Sequence, residues 1–147
     1  MLSNIRNGAL AGLAGGMVFG MMMAMMGMLP VIASMLGSTS SVVGFAVHLA
    51  MSAMIGAGFG VVLGFAATTT PRSVAAGAAY GMAWWVIGPL TMMPLMMGKG
   101  FGTQWTASAL TAALPSLMGH VIYGLITGFV FFRLVSVHVV RRSLRTA

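Results

Sequence analysis

The 147 residues contain no aspartate, no glutamate and no cysteine. Carboxylate general acid/base chemistry, carboxylate proton relays and all-oxygen Ca²⁺ or Mg²⁺ cages are therefore beyond the reach of these side chains. Thiolate metal sites and disulfides are excluded in the same way. Charge of any kind is scarce: 5% of residues are charged and 59% hydrophobic, with a mean hydropathy of +1.03. A soluble domain of ordinary composition carries about a quarter charged residues. This is the composition of an integral membrane protein. What remains for chemistry is 3 His, 17 Met, 3 Trp, 2 Tyr and a scatter of hydroxyls.

Every charge is positive, for a formal net +7. In a soluble protein that would point to nucleic acid, but the placement gives another reason. Arg6, Arg72, Arg133, Arg141, Arg142 and Arg145 fall near one set of expected helix ends, and only Lys99 near the other. That is the cytoplasmic bias of short loops in membrane proteins. It puts both termini on the cytoplasmic side of the cell membrane and leaves nucleic acid out. The terminal arginines are expected to set topology and touch anionic lipid, with His138 at the membrane surface.

A short polar lead, residues 1–7, opens the chain. The apolar run from Gly8 continues past any ordinary signal-peptide core, so it reads as an anchor. About twenty apolar residues cross the hydrocarbon, and four stretches qualify: about 8–35, with Pro30 ending or kinking it, then 42–67, 73–97 and 115–136. The longest loop spans about 98–113. Within it, residues 104–114 predict a short interfacial helix with Trp105 at headgroup depth. The remainder, 137–147, is expected to be a cytoplasmic tail.

Small residues recur every fourth position, the spacing that lets helix backbones approach closely. The first stretch carries Gly12, Gly16, Gly20 and Ala24; the second Gly44, His48, Ser52, Gly56, Gly60 and Gly64. Gly77 and Gly81 follow in the third, and Ser116, His120, Gly124 and Gly128 in the fourth. The halves correspond: Ala11-Gly12 with Ala76-Gly77, Met28-Leu29-Pro30 with Met92-Met93-Pro94, and His48 with His120. The expected fold is a single all-α transmembrane domain over residues 1–147. Its four transmembrane helices form two parallel two-helix repeats, about 8–67 and about 73–136, packed through glycine.

This topology places His48 and His120 roughly two turns below the outer helix ends. The Met-rich runs 21–28 and 92–97 share that outer half. Two neutral imidazoles opposed across a four-helix bundle can ligate haem b, with small neighbours leaving room for the macrocycle. A soft shell of imidazole and the thioethers of Met22, Met25, Met26, Met93 and Met96 would instead suit Cu(I). Plainer roles stand beside these. A histidine on a small-residue stripe can bond a neighbouring carbonyl and fix register. Methionine is a flexible gap-filler, and repeated glycines are usually packing surface. Gly56 to Gly60 partly matches a nucleotide-loop pattern, but it lies inside a span with no strand before it. Ser52 is one turn from His48, yet no acid orients the imidazole, so enzymatic catalysis is not expected.

Two other functional readings fit the same residues. The excess of glycine faces suits a non-catalytic accessory or structural subunit in a homo-oligomer or larger membrane complex. The parallel repeats and proline-bearing odd spans suit a small passive transporter or channel. Lack of intramembrane carboxylates argues against proton or sodium coupling.

Gly8-Ala9-Leu10-Ala11-Gly12-Leu13, Met93-Pro94-Leu95-Met96 and especially Gly119-His120-Val121-Ile122-Tyr123-Gly124 resemble the YagU-like small four-span bacterial and archaeal membrane proteins. The resemblance covers most of the chain and implies four spans and a membrane location. It implies no particular activity. The Met-rich first span departs from the more mixed Leu/Val/Met composition of that group.

Overall fold

The computed structural model is all-α. It describes the backbone of residues 1–146. The side chains of Ala66 and of residues 138–147 lie outside the described residues, and with them the expectations for His138, Arg141, Arg142 and Arg145.

Helix α1 (Leu2–Met25) stops at a glycine, not at Pro30 as the sequence predicts. Gly27 takes the left-handed conformation, φ 67°, which glycine adopts without a Cβ penalty. Its N–H reaches the Ala24 carbonyl and that of Met28 the Met23 carbonyl, so the last turn closes on itself. Pro30 instead sits in the first turn of α2 (Leu29–Ala33), where its missing N–H costs nothing. The expected stretch 8–35 is thus a long helix followed by a short cap. Gly98, φ 74°, closes the corresponding cap of the second half in the same way.

Helix α3 (Ser41–Val62) and helix α4 (Thr70–Ile87) follow. Thr69 caps α4 by accepting the Arg72 N–H, and Pro71 occupies its first turn. Pro89 and Pro94 lie only five residues apart, and the chain answers with a π-helical turn, Gly88–Met92, before α5 (Met93–Met96). Pro94 cannot donate to the Leu90 carbonyl four residues back. The loop supplies a substitute: the Trp105 indole donates to that carbonyl at 3.2 Å. The expected loop helix is shorter than read, α6 (Ala107–Ala112), capped by Thr106. Helix α7 (Leu114–Thr146) begins one residue before Pro115.

Among the described residues, three segments are long and apolar enough to cross a membrane: α1, α3 and Leu114–Val137 of α7. They suggest a multi-pass membrane protein. Helix α4 does not reach that measure on its own.

Packing is organised as two helix pairs, α1 with α3 and α4 with α7, joined where α1 meets α7. Within each pair the backbones touch. A methyl group added at Gly12 would run into the Ser52 carbonyl and Gly56, and one at Gly77 into the Gly124 carbonyl. Gly16, Gly20, Gly56, Gly60, Gly124 and Gly128 are buried along the same seams. Hydroxyls add a second set of ties, each to a carbonyl of a neighbouring helix. Ser73 donates to Gly128 at 2.8 Å, Tyr80 to Ile55 at 2.8 Å and Tyr123 to Ser52 at 2.8 Å. The core has one cluster of Phe19, Met23, Leu29 and Tyr123 toward the C-terminal end of α1, and another of Ala11, Phe59 and Phe131 toward its start.

Candidate functional site

The glycine seam between α1 and α3 sets the position of His48. Gly20 leaves room on α1 for the imidazole, which a methyl group there would meet, and His48 Nε2 reaches the Gly16 carbonyl at 3.0 Å. A carbonyl only accepts, so Nε2 carries the hydrogen and Nδ1 of the neutral ring keeps a bare lone pair. His120, on α7, makes the opposite choice. Its Nδ1 lies 2.8 Å from the Ser116 carbonyl one turn earlier and therefore donates, leaving Nε2 bare. The Ser116 hydroxyl lies 3.5 Å from the same nitrogen.

Both imidazoles lie against Phe19. Its ring meets His48 edge-on with centroids 5.3 Å apart and His120 with centroids 4.9 Å apart. The sequence reading has the two histidines facing each other across an axis; in the fold the Phe19 ring touches both. Gly119 makes this possible, because a methyl group there would collide with the phenyl ring. Met23, one turn after Phe19, is buried in the same cluster and contacts His48. The layer therefore holds two bare imidazole nitrogens and a thioether, packed about one phenyl ring.

The methionines singled out from sequence divide into two groups. Met22 is half-buried, while Met25 and Met26 are exposed at the end of α1, away from the imidazole layer. Met93 and Met96 belong to the second-half cap, where they line a cleft of about 290 Å³ with Met35 and Met97. Among the described contacts, those to the histidines include Phe19 and Met23. Met23 and Phe19 were missed, although the glycine face of α1 could have located them: at helical spacing, Gly12, Gly16, Phe19, Gly20 and Met23 share one side.

Among the described residues no three of His, Cys, Asp and Glu come together to hold a metal ion. A metal here would have to use thioether as well as imidazole. No family model matches the chain, and no curated protein or solved structure matches it.

Proposed function

We propose that this chain is a four-span protein of the cytoplasmic membrane that binds a soft monovalent metal ion, Cu(I) in class, in the layer of His48, His120 and Met23. One observation carries the reading. Each imidazole spends its single N–H on a main-chain carbonyl and keeps the other nitrogen bare, the state in which a histidine ligates metal with its ring already held. Met23 supplies a soft ligand type in the same cluster. Phe59, Phe131 and Ala11, all with 0% exposure, fill the core inward of this layer. The role is metal handling or sensing and not bond-making catalysis.

The packing of α4 supports a fourth span. Gly77 and Gly81 meet the middle of α7, so α4 shares the depth of a helix that itself qualifies as a span. The π-helical turn and α5 extend its reach to Met96. An even number of spans returns both termini to one side, with Arg6, Arg72 and Arg133 near it; the positive-inside rule makes that side cytoplasmic.

A bis-imidazole haem b on the same residues would need the Phe19 ring to leave. A second reading, an accessory subunit, is favoured by the His48–Gly16 bond, which by itself locks α3 to α1. The two readings separate in a Cu(I) competition assay on reduced, purified protein against a coloured chelator. Expected is one equivalent fewer in both His48→Ala and His120→Ala than in the wild type. Equal copper in the wild type and both variants ends the metal proposal and leaves the imidazoles as helix ties. A Soret band after haem supplementation, lost in the same variants, would put haem in place of copper.

A further inference from the structure

We infer that the outer face carries a separate thioether site for Cu(I) or Ag(I), in the cleft between the two halves' caps. Val31, Ser34 and Met35 form one wall, from α2 and the 3₁₀ turn that follows it. Met93, Met96 and Met97 form the other, from α5 and its end. Four of the six lining residues are therefore methionines, brought together from positions about sixty residues apart in the chain.

The ordinary role of methionine is to fill irregular space. Here four methionines line a half-open cleft of about 290 Å³ and leave it unfilled. That volume far exceeds one water's share of about 30 Å³. Three rotatable bonds per side chain let the sulfurs swing inward on a guest. Met96 and Met97 are more than half exposed, so the cleft is reached from outside the bundle.

The donor set selects the guest. Thioethers are neutral and soft, which favours Cu(I) and its redox-silent congener Ag(I) over Zn²⁺, Mg²⁺ or Ca²⁺. Lys99, two residues past Met97, is exposed and positive, and the chain has no carboxylate to offset it. A divalent ion would meet twice the repulsion of a monovalent one, with no hard anionic ligand in return. The Ser34 hydroxyl is already turned to the Val31 carbonyl at 2.7 Å, leaving the thioethers as the main ligands.

The cleft shares no residue with the imidazole layer, so the two sites are tested apart. Ag(I) bound per chain would be counted by elemental analysis after desalting the full-length protein in mild detergent. The same count would be made on Met93→Leu/Met96→Leu/Met97→Leu, on Met35→Leu, on Met25→Leu and on His48→Ala/His120→Ala. Leucine keeps volume and apolarity, and circular dichroism checks that each variant stays folded. The expected result is one equivalent lost in the triple variant and weakened at least tenfold in Met35→Leu. Met25→Leu, outside the cleft, and the double histidine variant should both keep it. Full silver in the triple variant overturns this site, as does no silver in the wild type or equal loss in Met25→Leu. Loss in the double histidine variant alone would overturn it while leaving the imidazole site standing.

Discussion

Replacing Phe19 by alanine removes the ring that both imidazoles touch, and the site has little means of collapsing because glycine seams already hold the backbones in contact. The expected cost is about 3 kcal/mol, read as a lowered midpoint of unfolding in detergent. The same variant opens the space a macrocycle would need. Added haem should therefore give a bis-imidazole spectrum in Phe19→Ala and none in the wild type; equal spectra would mean that the ring was never the obstacle. Tyr123→Phe makes a smaller test. Its hydroxyl donates to the Ser52 carbonyl, so its removal should cost about 0.6 kcal/mol, the average for such bonds between membrane helices. The histidines were legible as site candidates because each is the one ionisable residue on a stripe of small ones. Which methionine accompanies them was not, since a run such as Met21-Met22-Met23 offers every phase of the helix and only packing selects one. Phe19 was invisible for a related reason: a phenylalanine in an apolar span carries no sequence signal until its neighbours on other helices are known.

At the scale of helices, the glycine seams predict a sharp contrast between positions of one residue type. Gly12→Val pushes α1 off the Ser52 carbonyl, which is backbone and cannot rotate away. A loss of about 2 kcal/mol is expected, in the range of overpacked cores. At Gly88 a new Cβ meets nothing within 4 Å, so Gly88→Ala should leave stability within about 0.5 kcal/mol of wild type. Thermal unfolding of the two variants side by side checks both; similar losses would mean that helix propensity and not close approach is at work. Much of this level was readable, because four-residue spacing of small residues reports directly on a helical face. The break at Gly27 was not read, because Pro30 drew the expected end; a glycine just past a helix end with a proline at the start of the next was the signal that could have placed it. The contact between α1 and α7 was not. Repeat logic pairs helices within each half and says nothing about which helices join the halves.

For the molecule as a whole, the absence of cysteine permits a clean test of topology. Single cysteines at Thr39 and Thr103, both exposed, should react with a membrane-impermeant maleimide in intact cells. Cysteines at Ser3 and Thr68, also exposed, should react only after lysis. Labelling of Thr68→Cys in intact cells would reverse the orientation, and labelling of Thr39→Cys and Thr103→Cys on opposite sides would remove the fourth span. Composition made the membrane class legible at once; span number depended on α4, whose Thr-Pro-Arg-Ser start dilutes its hydropathy. The pairing of α1 with α3 and of α4 with α7 also has a consequence in time. Each pair is made of consecutive long helices, and the first has its whole glycine seam in hand once the ribosome has passed Val62. Chains fold from the N-terminus during synthesis, so the first hairpin can close in the bilayer while the second is still being made. The second hairpin then arrives at a finished surface, with Phe19 already in place to receive Gly119 and His120.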